Sequence, residues 1–365
     1  MDELVADSSD TSIGMIFVAP PENGRDTRGC PAQRSVQRQA GFAEIVSAPP
    51  VFVVGSPRSG TTLVQTMLDS HPRLSVTYEA DFLIDIPLGL RSSVTNASEA
   101  LTLAAAHLTY QRHSFDVRTA SAACRELGVT DAAGAMRVMA ASRALAQGKV
   151  RWGNKTPKAL LHLAELAIVY PDAQFIHVIR DGRESASSQA RGSDRGKKRS
   201  VVEAALLWRT GIRAGRRAGS VLGPDRYLEV RLEELLSSPE EQLRRMCAFL
   251  GEDFDQSLLG FHTTARERIP ESSLASHPRL GEPPRPLPPS REAAATGLAR
   301  RAADALIGAE LVELGYVPAA SSRRRWRTVY VVIGYAYFLV SLRRSLPDLL
   351  RHFARSAGAR RATRQ

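Results

Sequence analysis

The sequence predicts an α/β protein of three layers, with a mostly parallel central sheet, helices on both faces and a helical insertion. Three observations predict it. Short apolar runs at Val51–Val54 (VFVV) and Gln174–Ile179 (QFIHVI) have the length and β-branched content of fully buried parallel strands. Each run is followed by a turn and then by a segment of helical pattern, the order that makes parallel neighbours. A glycine-bounded turn, Gly55-Ser56-Pro57-Arg58-Ser59-Gly60-Thr61-Thr62, joins the first strand to the first helix.

The elements follow in chain order. Residues 1–46 mix Asp, Ser, Gly, Pro and Arg without a period, which predicts a mobile leader. The main domain is expected over 47–276 and begins with the strand after Pro49-Pro50. Thr61–Ser70 reads as a helix with Leu63, Met67 and Leu68 on one face, ended by His71-Pro72. Alanine-rich helices between Ser98 and Gln147, stopped by Gly148, predict an insertion over about 92–148 that shapes the acceptor site. The QFIHVI strand enters Arg180-Asp181-Gly182-Arg183 and another helix. A further helix is expected over Val201–Ala218 and a strand over Tyr227–Arg231. Ser238-Pro239-Glu240-Glu241 reads as a capping box with Pro at the first helical position, and Gly251 stops that helix after Leu250. His277–Ser290 (HPRLGEPPRPLPPS) reads as a semi-rigid connector. A last helix of about Arg291–Leu314 completes the domain at 318, and 319–365 form a tail.

A chain of 365 residues, 43% hydrophobic and 24% charged, has the composition of an ordinary globular protein. Its net charge of +11 resembles a nucleic-acid signal until its distribution is read. Eleven Arg and a single Asp fall between Arg323 and Gln365, so the first 322 residues are nearly neutral. That argues against nucleic acid as a partner. Cys30, Cys124 and Cys247 are odd in number and widely spaced, which indicates neither a disulfide framework nor a metal site. No charged segment followed by an apolar one opens the chain, so a cytoplasmic location is expected.

The chemistry is concentrated in the turn at Gly55–Thr62. A strand-to-helix turn of this kind cradles an anion, because consecutive N–H groups converge on it at the positive end of a helix. The fold is therefore P-loop-like. The glycine spacing matches G-x-x-x-x-G-K-[ST], but Thr61 stands where the Lys that bridges β- and γ-phosphates belongs. Loss of that Lys, with Arg58 gained inside the loop, points to a donor without a γ-phosphate. A 5′-phosphosulfate meets that description and needs no metal.

Further blocks carry a resemblance. Pro57-Arg58-Ser59-Gly60-Thr61-Thr62-Leu63 resembles the 5′-phosphosulfate loop of sulfotransferases that use 3′-phosphoadenosine-5′-phosphosulfate (PAPS). Met67-Leu68-Asp69-Ser70-His71-Pro72 through Glu79 is similar to the tyrosylprotein sulfotransferases and related bacterial enzymes. Asn154-Lys155-Thr156-Pro157 resembles the family's N-K-x-P segment. Val178-Ile179-Arg180-Asp181-Gly182-Arg183, with Ser188 beyond it, resembles the motif that binds the 3′-phosphate. The similarity extends to about Leu259.

The resemblance implies PAPS as donor and in-line transfer of its sulfuryl group to a tyrosyl, glycan, lipid or natural-product hydroxyl. Arg58, Ser59, Gly60, Thr61 and Thr62 would hold the 5′-phosphosulfate, and Arg180 and Ser188 the 3′-phosphate. Glu79 would be the general base, with Asp81 as fallback, and Lys155 would assist Arg58 at the leaving oxygen. Trp208 reads as core packing, and His71 and His177 as structural. Leu232 stands where many relatives have Tyr. Leu63 stands where cytosolic small-molecule enzymes have a Trp that stacks on adenine. Two other readings stay open: a P-loop kinase or nucleotide-binding protein, and a non-catalytic membrane-associated adaptor of the same fold.

The tail holds an apolar run, Thr328–Leu342 (TVYVVIGYAYFLVSL), between Arg323–Arg327 and Arg343-Arg344. As a helix it would reach roughly 22 Å, short of a hydrocarbon core of about 30 Å. Tyrosines and flanking arginines predict a segment that lies in, or re-enters, an anionic membrane surface and buries Val331, Ile333, Tyr335, Phe338 and Leu339. The protein would then be peripheral on the inner face of a membrane. Docking of the run on the protein body is the alternative.

Overall fold

In the computed structural model, residues 41–90, 94, 96–192, 199–286, 297–316, 329 and 331–336 are described. Five parallel strands form the sheet: β1 (Val51–Gly55), β2 (Leu74–Tyr78), β3 (Arg151–Lys155), β4 (Gln174–Ile179) and β5 (Tyr227–Arg231), in the order β2-β3-β1-β4-β5. Helices of seven or more residues pack around them within the described residues. They are α1 (Thr61–Ser70), α2 (Ala97–Ala106), α3 (Val117–Glu126), α4 (Ala132–Ala146), α5 (Leu163–Val169), α6 (Gly182–Arg191), α7 (Val201–Leu222), α8 (Pro239–Leu250) and α9 (Leu298–Glu313).

Side chains of β1 alternate between two cores, as a strand buried on both faces must. Phe52 and Val54 join Trp152, Phe175 and the inner faces of α2–α5. Val51 and Val53 join Val76, Ile176, Val178 and Val230 beneath α1 and α8. Beyond the end of β4, Ile179 packs with Ala186 of α6, Trp208 and Ile212 of α7, and Leu306 and Ile307 of α9. From β1 the chain passes through α1 to β2 on one side; from β4 it passes through α6 and α7 to β5 on the other. The loops after β1 and β4 therefore diverge at the carboxyl edge of the sheet and leave a crevice, the usual ligand position in such sheets.

The structure corrects several expectations. Residues 41–47 are helical rather than leader, with Ile45 in the core and Phe42 and Val46 packed against it. Their spacing of three and four residues makes one apolar face, which the aperiodic residues before them obscured. Strands β2 and β3 were not anticipated. The helix begun at Val201 continues past Ala218 to Leu222 and stops at Gly223, whose φ is 76°. Ser238 caps nothing with its side chain, because the short helix Leu232–Ser237 runs directly into it and its N–H donates to Glu234 O. Pro239 and the left-handed Gly251 act as expected. The capping box lies instead at Ser200 and Glu203, where each side chain accepts from the other's N–H at 3.2 and 2.8 Å. Helix α9 starts at Leu298; residues 291–296, where its beginning was expected, lie outside the described residues.

Candidate active site

Gly55 ends β1, and the turn that follows has an unusual backbone. Arg58 has φ 67° and Gly60 φ 94°. At Gly60 only glycine fits, since a Cβ would stand 2.5 Å from Leu232 Cδ1. Gly60 also caps α1 without a side-chain hydrogen bond, so the first-turn N–H groups have neither an intrahelical acceptor nor a side-chain cap. Gly60, Thr61 and Thr62 line the cleft in front of them. This is an anion cradle at a helix N-terminus.

Helix α6 braces the cradle from behind. Ser185 Oγ and Gln189 Nε2 donate to Pro57 O at 2.9 and 3.2 Å. Arg180, at the end of β4, donates from NH1 to Arg58 O at 3.0 Å, and its own carbonyl accepts from Trp208 Nε1 at 3.0 Å. Trp208 is thus core packing that also fixes the Arg180 backbone. Burial lowers the Arg180 pKa, yet a guanidinium stays charged. Its NH2 lies 3.7 Å from Glu184, but among the described residues the buried Nε has no hydrogen-bond partner, and such a donor at the cleft fits a phosphate. Arg58 Nε donates to Ser188 Oγ at 3.2 Å and NH1 to Ser276 O at 2.9 Å. Arg58, Arg180 and Ser188 are therefore brought together. Ser59 is not among the cleft residues. It lies buried beneath the loop, its N–H donates to Ser56 O at 3.1 Å, and its hydroxyl has no hydrogen-bond partner among the described residues.

The second half of the site comes from β2 and β3. Tyr78 pairs in register with Lys155, and Glu79 N donates to Lys155 O at 2.7 Å. Asn154 clamps the next residue, accepting from Ala80 N at 3.3 Å and donating to Ala80 O at 3.2 Å. Glu79 is held with φ 43°, the other non-glycine residue besides Arg58 with positive φ among those described. Lys155 is fully buried. Its Nζ lies 2.9 Å from Glu79 Oε1 and 3.7 Å above the Tyr78 ring, so a carboxylate and an aromatic face offset its burial. Asp81 is 3.2 Å from Lys158, which also binds Asp85 at 2.6 Å.

These groups share one cleft of about 960 Å³, and the stretch Ser272–Arg285 forms its far wall. The connector expected at His277–Ser290 thus contributes to the site, through its described residues up to 286. His277 Nε2 lies 3.4 Å from both Thr62 Oγ1 and Tyr78 Oη. Burial pushes its pKa down to about 4, assisted by the charges of Lys155 and Arg58 and opposed by Glu79, so the ring is neutral at pH 7. His113, from the insertion, is also pushed down to about 4 by burial and then by Arg143 and Arg112. Neither histidine was singled out from the sequence. His277 had a readable signal in its place at the head of a proline-rich stretch; His113 had none. Leu63 and Leu232 line the cleft with Leu236 and Leu280 as an apolar wall.

The Sulfotransferase family model matches residues 49–256. The chain is 28% identical over 218 residues to protein-tyrosine sulfotransferase of Drosophila melanogaster, spanning 58% of this chain and 40% of that protein. Against human protein-tyrosine sulfotransferase 1 the identity is 32% over 151 residues, or 40% and 35% of the two chains. The chain spans about half the length of the curated relatives it matches, or less. Among solved structures, it is similar to the sulfotransferase domain of the Synechococcus PCC 7002 olefin synthase, with 25% identity, a TM-score of 0.45, and coverage of 69% of this chain and 91% of that one.

Proposed function

The chain belongs to the sulfotransferase family, and on that premise we propose that it transfers the sulfuryl group of PAPS to a hydroxyl acceptor. One observation carries the reading. An uncapped helix N-terminus, Arg58 and Arg180 meet Glu79 and Lys155 in a single cleft.

Bound PAPS would supply an activated sulfuryl group; the remaining work belongs to the chain. The N–H groups and hydroxyls of Gly60, Thr61 and Thr62 take the 5′-phosphate, with Ser59 holding the turn beneath them. Arg180 and Ser188 take the 3′-phosphate, the buried Nε of Arg180 gaining the partner it lacks. Glu79 accepts the proton of the acceptor hydroxyl, and Lys155 fixes its Oε1. Arg58 and Lys155 supply positive charge toward the departing phosphate. The curated relatives are protein-tyrosine sulfotransferases, which makes a phenolic hydroxyl the first acceptor to assay. The basic tail, residues 319–365, brings the enzyme to an anionic membrane surface, peripheral on its inner face.

Titration with PAPS and with ATP plus Mg²⁺ tests the donor. PAPS binding followed by sulfation of a phenol is the expected result. Binding of ATP with Mg²⁺ in place of PAPS would make the protein a kinase-like nucleotide binder, and binding without turnover would make it an adaptor.

A further inference from the structure

The apolar run of the tail does not stand off from the body. Residues 329 and 331–336 are helical where they are described. Val331 and Ile333 pack against the core built by Trp208, Ile212, Leu306 and Ile307. Gly334 is buried so closely on α9 that a Cβ would meet Leu306 Cδ1 at 2.6 Å. Arg209 of α7 donates from NH1 to Tyr335 Oη at 3.1 Å. Two residues expected to enter lipid, Val331 and Ile333, are therefore used on the protein. The physical reason is a helix apolar all round, one of whose faces finds the exposed side of α7 and α9.

Among the described residues the opposite face has no such cover. Val329, Val332 and Ala336, three and four residues apart, share it. Val329 is 43% exposed, Val332 61% and Tyr335 45%. Beside them Glu310 draws together Arg209 and Arg213, two guanidinium groups on one carboxylate, at 3.1 and 2.5 Å. In sequence, Arg323, Arg324, Arg325 and Arg327 precede the run, and Arg343 and Arg344 follow it. Among the described residues no helix is long and apolar enough to cross a membrane.

We propose that this outer face, Val329, Val332 and the half-exposed ring of Tyr335 beside Arg209, is a docking surface for an anionic lipid bilayer. The inner face of the same helix then rigidly fixes how the enzyme sits on that bilayer. Lipid is the occupant because the apolar strip is narrow, carries a tyrosine suited to the headgroup level and is flanked in sequence by arginines on both sides. The inference rests on the membrane reading above, and it is independent of the sulfuryl chemistry.

The test uses full-length protein and vesicles of phosphatidylcholine with about one third phosphatidylglycerol. Wild type is expected to co-sediment and to release only in part at high salt, since apolar insertion is not screened. The double variant Val329→Glu and Val332→Glu should lose at least tenfold in vesicle partitioning. Its unfolding midpoint and its sulfation of a soluble phenol should be unchanged, because both positions are exposed and neither lines the cleft. The triple variant Arg323→Gln, Arg324→Gln and Arg325→Gln should bind more weakly and lose most of its salt dependence. Wild-type partitioning by the glutamate variant would overturn the docking surface. Full release of wild type by salt would do the same. So would a wild-type dimer, seen by sedimentation velocity, that the glutamate variant abolishes, since a second copy would then be the occupant. Absence of sulfation by wild type itself, with vesicle binding as expected, would count against the catalytic reading alone.

Discussion

Replacing Lys155 by Met tests whether Lys155 and Glu79 act as a unit. The methionine side chain keeps most of the volume and removes the charge. At 2.9 Å and an effective dielectric of about 20, the Coulomb attraction is about 6 kcal/mol, most of it offset by the desolvation of both groups. Breaking a buried pair by removing one partner costs about 3–5 kcal/mol. Glu79 retains 18% side-chain exposure, which draws the estimate to the lower end, about 3 kcal/mol. Loss of the ammonium from the Tyr78 face adds about 1 kcal/mol. Urea unfolding should therefore show Lys155→Met destabilised by about 4 kcal/mol. The double variant with Glu79→Gln should recover about 2 kcal/mol of this, because an amide beside a thioether leaves no uncompensated charge. Turnover should be lost to a similar degree in both single variants and in the double, as for groups that work together. Losses in stability that add to within about 0.5 kcal/mol would refute the coupling and with it the shared role.

Three further outcomes are expected. Glu79→Gln should cut turnover on the order of 10²-fold while isothermal titration shows PAPS binding near wild type; survival of turnover in that variant and its loss in Asp81→Asn would move the base to Asp81. Arg180→Ala should weaken PAPS by about 2 kcal/mol or more and adenosine 5′-phosphosulfate far less, and equal weakening of the two would remove Arg180 from the 3′-phosphate. His277, with a folded pKa of about 4 against an ordinary 6.5, binds its proton later than the unfolded chain does as pH falls. Its contribution is complete above about pH 6.5 and lost down through pH 4, up to about 3 kcal/mol, so His277→Gln should flatten the stability profile in that window.

How much of this was legible from residue order depends on what each element is made of. Strands β1 and β4 were visible because apolar, β-branched runs have few other uses. Strand β3 reads Arg-Trp-Gly-Asn-Lys and is buried throughout, a pattern no hydropathy argument would make a central strand. It is buried because its charged and amide side chains find partners, while Trp152 packs in the core. Arg151 donates to Pro49 O, Leu250 O and Gln174 Oε1, Asn154 clamps Ala80, and Lys155 meets Glu79. Those partners are distant in sequence, so the signal exists only once the fold does. The loop motif and Arg180 were legible as chemistry, because a phosphate cradle is local. That Ser59 lies under the loop, and that Ser272–Arg285 walls the cleft, could not be read from local pattern.

Backbone strain points to the same residues by an independent route. Arg58 and Glu79 are both held in the left-handed region, where a side chain with a Cβ costs of order 1–3 kcal/mol unless its surroundings over-determine it. At Arg58 the surroundings are Arg180 on its carbonyl and Ser188 and Ser276 on its guanidinium. At Glu79 they are Lys155, through both its carbonyl and its ammonium, with Asn154 locking the next residue. Glycine at either position would relax the turn and keep the fold, so foldability alone gives no reason for an arginine or a glutamate there. The strain is tolerated where a guanidinium and a carboxylate must be presented to one cleft from opposite sides. The proposed transfer between a donor and an acceptor would impose that requirement, and packing does not.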